Sequence, residues 1–246
     1  MKTNLVEQSY NLISNMVFQY QLPPGSKVSD YSLSKELGIS RTPIRTAITM
    51  LVSEDLLEAE GIRFKVPEFT VERINHIYDA RICIQTSALH LAMTKGIQKN
   101  DIRDLRNEIS NINNYNAKGN LFDSITHDVE FNHKLALLCK NPFLIKDYLR
   151  LEKQTRVLSF IGITAPSFAA PVFYTTICDC IEDNDFEGAR KALQGFLESS
   201  RNQKVSILQD FDSEFLKDVF SYISMNYTRR TQQKSSLDCK PEKEEG

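Results

Sequence analysis

From Asn4 to Tyr20 the apolar positions Leu5, Tyr10, Leu12, Ile13 and Val17 recur with roughly helical spacing. The pattern stops at Gln21-Leu22-Pro23-Pro24-Gly25-Ser26, a turn signal built on proline and glycine. A second short helix is expected to begin near Ser29 or Asp30, to carry Leu33 and Leu37 on one face, and to end at Gly38. Ser40 reads as the N-cap of a third helix, whose stripe Ile44, Ala47, Ile48, Leu51 follows i, i+3, i+4, i+7. Leu56–Ala59 and Ile62–Val66 flank Glu60-Gly61 and predict a short hairpin.

Pro67-Glu68-Phe69-Thr70 reads as a linker ending in a helix cap, and beyond it the alternation characteristic of strands disappears. Periodicity predicts helices over 71–95, 99–117, 119–140, 142–161, 169–183 and 185–209, broken at Gly96, Gly119, Asn141-Pro142, Thr164-Ala165-Pro166 and Asp183-Asn184. One more helix is expected over 211–225, and from Asn226 onward the polar composition predicts a disordered tail. The chain is therefore expected to be mainly α. A winged helix-turn-helix occupies 1–68, an all-α antiparallel bundle 69–210, and an extra helix with its tail 211–246.

Composition narrows the picture without redirecting it. An apolar fraction of 41% and a charged fraction of 25% over 246 residues suffice to bury real cores. No run of 18 apolar residues occurs and no signal segment is evident, so a cytoplasmic protein without membrane contact is expected. The cysteines Cys83, Cys139, Cys178, Cys180 and Cys239 are odd in number and irregularly spaced, which suits free thiols. With a net charge of −2, any nucleic-acid binding must rest on a few well-placed cations rather than a broadly basic surface.

Those cations are most evident in Leu33-Ser34-Lys35-Glu36-Leu37-Gly38-Ile39-Ser40-Arg41-Thr42-Pro43-Ile44-Arg45. The apolar residues join two helices around Gly38, which leaves Ser40, Arg41, Thr42 and Arg45 at the N-terminal end of the second. That end of a recognition helix enters the major groove, where arginine forks grip phosphate or the O6/N7 edge of guanine. Residues 33–56 resemble the GntR family of bacterial regulators, whose pattern is L-x-x-x-L-G-V-S-R-T-P-V-R-x-A-L-x-x-L-x-x-x-G-L, with Asp55 standing where glycine is usual. The resemblance implies that Arg41 and Arg45 touch operator bases or phosphates with help from Ser40 and Thr42, and that a wing at Gly61 reaches the minor groove. Tyr31 replaces a common arginine, and Arg63 and Lys65 are the cations available to the wing.

Residues 72–208 resemble the FCD effector domain of one GntR subgroup. The resemblance rests on Arg81-x-x-Ile84-Gln85-x-x-Ala88-Leu89, on Asp128-x-x-Phe131-x-x-x-Leu135-Ala136 followed by Asn141-Pro142, and on Ile177-x-x-Cys180-Ile181-x-x-x-Asp185-x-x-x-Ala189-x-x-x-Leu193. Many members hold a divalent metal with one aspartate and three histidines. Here the aspartate aligns with Asp128, but the histidine positions are Asn132, Tyr174 and Phe196. His127 and His133 lie about 100° off that helical face, so no metal and no other cofactor are expected. The family implies a homodimeric repressor on a double-stranded inverted repeat and a small effector such as an organic or sugar acid. Asp128, Asn132, Tyr174 and Phe196 would line the pocket, with Arg81, and less directly Arg156, gripping a carboxylate. The alternative is a ligand-independent dimeric regulator with a filled bundle. Catalysis is not expected, because no nucleophile–base pattern, glycine-rich phosphate loop or metal spacing occurs.

Overall fold

A computed structural model describes residues 4–61, 63–164, 169–211 and 213–238, apart from the side chains of 163, 164, 213 and 227–238. Cys239 and the Ala165-Pro166 break lie outside them. The chain divides into two compact units, residues 1–68 with the segment after 211, and residues 69–211.

The first unit is built from α1 (Leu5–Phe18), β1 (Lys27–Val28), α2 (Asp30–Leu37), α3 (Arg41–Ser53), β2 (Glu58–Glu60), β3 (Arg63–Lys65) and α10 (Ser213–Asp238). Ile13 and Val17 of α1 close on Ile44, Ala47, Ile48 and Leu51 of α3, all 1% exposed or less. Between α2 and α3 the chain turns at Gly38, whose φ of 66° is left-handed and costs glycine little. The Ser34 hydroxyl donates to the Ile39 carbonyl at 2.7 Å and ties the turn down. Asp55, where the family pattern has glycine, has a φ of 59°, a region that short polar side chains tolerate.

The hairpin forms with Glu58 opposite Lys65 and Glu60 opposite Arg63. A third strand, β1, pairs antiparallel with β3, giving the order β1-β3-β2. At two residues β1 is too short for periodicity to reveal. The last helix, α10, departs further from expectation. It continues to Asp238 instead of giving way to a polar tail at Asn226, and it groups with the first unit. Upstream of Asn226 the helix is anchored by packing: Val219, Phe220 and Ile223 are buried, and the Phe220 ring stacks on Tyr20 with centroids 5.0 Å apart.

Helices α4 (Val71–Lys95), α5 (Lys99–Ala117), α6 (Leu121–Leu137), α7 (Pro142–Ser159), α8 (Ala170–Glu182) and α9 (Phe186–Asp210), with a 3₁₀ turn at Phe160–Thr164, form the second unit. Thr70 caps α4 by accepting from the Arg73 N–H, and Asn141 caps α7 ahead of Pro142. Helix α4 packs on α7 and α9, α5 on α6 and α8, and α8 on α9. Phe131, Leu135, Tyr174, Ile177, Leu193 and Leu197 fill the interior. Glu108 of α5, 6% exposed, accepts from Lys134 Nζ at 2.5 Å and lies 2.6 Å from His127 Nδ1, joining α5 to α6.

Candidate nucleic-acid interface and ligand cavity

The first turn of α3 presents Ser40, Arg41, Thr42 and Arg45, all exposed, while Ile44 and Ile48 are buried on the opposite face. Ser40 holds the N-cap backbone position, with φ −61° and ψ 155°, but its hydroxyl makes no cap bond. Pro43 in the first turn removes an N–H that would lack an intrahelical partner anyway. Arg41 Nη2 donates to both oxygens of Asp30, each at 3.0 Å, whereas Arg45 has no ion-pair partner among the described residues. Tyr31 is 55% exposed, with Lys35 Nζ 4.8 Å from its ring centroid.

At the wing, Gly61 takes a left-handed φ of 62° and Arg63 is exposed. Ile62 lies outside the described residues. Lys65 is engaged across the hairpin by Glu58 at 3.1 Å and Glu60 at 3.9 Å, and Glu58 holds its pKa above the ordinary lysine value. Exposed pairs of this kind contribute little to stability, but they offset the charge that a phosphate would meet.

In the second unit a cavity of about 100 Å³ opens among α4, α6, α7 and α9. A single ordered water needs roughly 10–15 Å³, so the cavity has room for several waters. Arg81, Asp128, Asn132 and Phe196 line the cavity. Tyr174 stands directly behind them, fully buried, with its ring stacked on Phe131 at 3.8 Å and packed on Phe196 at 4.7 Å. One chain of hydrogen bonds crosses three helices. Arg81 Nε donates to Gln85 Oε1 at 3.0 Å, Gln85 Nε2 to Asn132 Oδ1 at 3.3 Å, Asn132 Nδ2 to the Tyr174 hydroxyl at 2.6 Å, and that hydroxyl to Asp128 Oδ1 at 2.6 Å. Burial pushes the Asp128 carboxyl above the ordinary aspartate value, against the opposing pull of the Tyr174 hydroxyl and the Lys204 and Arg81 charges.

Two expected pocket residues do not line the cavity: Tyr174, whose ring is packed between Phe131 and Phe196 behind the wall, and Arg156. Arg156 is exposed on α7, because Glu152, Thr155 and Ser159 occupy the inward face and one helical step turns it away. The cavity instead recruits a second cation that sequence reasoning missed. Lys204 of α9, 7% exposed, lines it beside Gln203, and among the described residues neither Lys204 nor Arg81 has a carboxylate within ion-pair distance. Lys204 sits in the polar run Ser199-Ser200-Arg201-Asn202-Gln203-Lys204, which resembles a solvated face. Its only signal is its place two turns beyond Phe196. The two histidines near Asp128 turn elsewhere, His127 to Glu108 and His133 to Glu152, the latter at 2.9 Å.

Two family models cover most of the chain. Residues 5–63 match the bacterial regulatory proteins of the gntR family, and residues 76–199 match the FCD domain. The chain belongs to the GntR family, in the group whose second domain is FCD. The uncharacterized HTH-type transcriptional regulator YdhC of Bacillus subtilis is 32% identical over 87 residues, 35% of this chain and 39% of that protein. The Nta operon transcriptional regulator of Aminobacter aminovorans is 24% identical over 149 residues, 59% of this chain and 69% of that protein. The chain thus spans about two fifths of the first relative and about two thirds of the second. Among solved structures, Escherichia coli McbR/YncC superposes with a TM-score of 0.69 at 21% identity, over 85% of this chain and 100% of that one, which shows a shared fold. No helix among the described residues is long and apolar enough to cross a membrane.

Proposed function

We propose that this protein is a ligand-responsive transcription regulator of the cytoplasm, which binds a palindromic double-stranded operator as a homodimer and represses until a small carboxylate enters its helical domain. The observation that carries the reading is the exposed first turn of α3, where Ser40, Arg41, Thr42 and Arg45 stand together. A helix N-terminus bearing hydroxyls and guanidinium groups suits a phosphate backbone and the major-groove edge of bases. For the sensor half, the support is a cavity whose wall carries Arg81 and Lys204, two cations more than nine-tenths buried. Asp128 and Glu152 share the wall, but neither cation makes a direct ion pair among the described residues, so both keep N–H donors for an anionic ligand. Tyr78, Tyr148 and Phe196 supply apolar surface for the rest of the molecule.

The residues at the family's metal position do not fit a divalent ion. Phe196 offers no donor atom, the Tyr174 hydroxyl and Asn132 amide are spent on each other and their neighbours, and Asp128 alone cannot hold a metal. The site is read as working without one, and catalysis has no part in the mechanism. Ligand changes DNA affinity only if it binds one arrangement of the protein better than another.

Fluorescence anisotropy of the full chain on duplex DNA at fixed salt tests the regulator reading. Selective retention of one sequence class is expected for wild type, and Arg45→Ala should weaken it at least tenfold without lowering the melting midpoint. Equal affinity for all duplexes would overturn the assignment. Melting scans with lactate, gluconate and glutamate against their neutral alcohols or amides address the effector. A carboxylate should raise the midpoint in wild type and Arg156→Ala but not in Lys204→Met. A shift from neutral compounds alone would defeat the carboxylate reading.

A further inference from the structure

The two arginines of the α3 tip stand in different states, and the difference points to a division of labour. Arg45 is exposed and unpaired among the described residues, so it is free to follow any nearby phosphate. Arg41, four residues earlier on the same face, is pinned: its Nη2 meets both Asp30 oxygens at 3.0 Å while its side chain stays 60% exposed. Asp30, at the first position of α2, is only 17% exposed and sits in a helix turn capped by Ser29. Its carboxylate is therefore a fixed post against which a mobile guanidinium is held.

Resting on the DNA-reading role above, we infer that Asp30 is a specificity-determining residue, which orients the free edge of Arg41 toward a guanine and keeps it off the phosphates. Two physical effects combine. The carboxylate cancels the long-range charge that would draw Arg41 to any phosphate, and a carboxylate beside the DNA backbone is itself repelled by it. Holding Nη2 also removes most of the rotamer freedom an arginine loses on forming a bidentate contact. The two Asp30 oxygens lie on one side of Nη2, so its second N–H and the neighbouring N–H on that edge still form an open fork for the O6/N7 edge of guanine, a geometry that a phosphate does not require. Arg45 then supplies affinity, and the Asp30–Arg41 pair supplies selectivity. For a chain of net charge −2 this arrangement spends one of its few groove-facing cations on reading instead of attraction.

Selection from a randomised duplex library, with wild type, Asp30→Asn and Arg41→Lys as full-length proteins, tests this. Wild type should enrich a guanine at one position of each half-site. Asp30→Asn, isosteric and still suited to the start of α2, should lose that preference roughly tenfold while the other positions hold. Its logarithmic salt slope should steepen by up to about one, as Arg41 turns to a phosphate. Arg41→Lys, which keeps the charge and loses the fork, should flatten the same position. Identical preferences in wild type and Asp30→Asn would overturn the inference. So would a uniform weakening at every position with a lowered melting midpoint, which would make Asp30 a structural tie alone. Should wild type enrich no sequence, the DNA-reading role falls and takes the inference with it.

Discussion

Replacing Tyr174 by phenylalanine removes one oxygen from the centre of the helical domain and leaves the ring packed on Phe131 and Phe196. Apolar burial is nearly unchanged, so the loss isolates two hydrogen bonds, each 2.6 Å long. The bond to Asp128 has a carboxylate acceptor and is worth about 1.5–3 kcal/mol, and the bond from Asn132 about 1 kcal/mol. The sum is about 3 kcal/mol, or a fall in melting midpoint of roughly 6–12 °C for a unit of this size. The cost should depend on pH. Burial already holds the Asp128 carboxyl above the ordinary aspartate value, and losing a donor raises it further. Toward acid pH the group is protonated in the folded variant and the missing bond is a neutral one, so the deficit shrinks. As pH rises through the folded pKa the carboxylate must ionise without its donor, and the deficit grows. Calorimetric scans of wild type and Tyr174→Phe from pH 5 to pH 8 read this directly. A deficit below about 1 kcal/mol that is flat across the range would refute the assignment of Tyr174 as the donor that stabilises Asp128.

Two further predictions concern other parts of the chain. Phe220→Ala should cost about 3 kcal/mol and lower hydrogen-exchange protection of the α1 amides roughly a hundredfold, since Phe220 is buried on Tyr20; unchanged protection would mean that α10 does not support the first unit. Glu108 is drawn below its ordinary value of 4.5 by Lys134 and His127, despite burial acting the other way, so its contribution is present above that pH and fades as pH falls through the folded pKa. Glu108→Gln should lose about 1 kcal/mol at neutral pH, with a deficit that shrinks as pH falls below the ordinary glutamate range; a deficit that does not change with pH would show that the loss is not electrostatic.

Much of the molecule is legible along the chain because the signals are local. Ser40, Arg41, Thr42 and Arg45 fall at the tip of α3 by helical spacing alone, and Thr70, Asn141 and Gly38 mark helix ends through bonds to residues two to four positions away or through their own φ. The convergence of Asp128, Asn132, Tyr174 and Phe196 follows from the family pattern, and the three histidine positions, Asn132, Tyr174 and Phe196, hold residues that cannot replace an imidazole. Other features depend on which face meets which neighbour. Arg156 and Lys204 are both cations in polar helical runs, yet only Lys204 is turned into the cavity. The polar stretch after Asn226 remains helical to Asp238.

What the sequence determined by itself was the order of the helices and the winged reading head, carried by spacings within one or two turns, while the missing imidazole set follows from the resemblance to the FCD pattern. Tertiary structure alone decided that Asp30 would hold Arg41, that Lys204 would face the cavity beside Arg81, and that Phe220 would close on Tyr20. Each of these joins side chains from different elements, and the rotation of a helix about its axis is fixed by packing against its neighbours, which no local periodicity encodes for a polar residue.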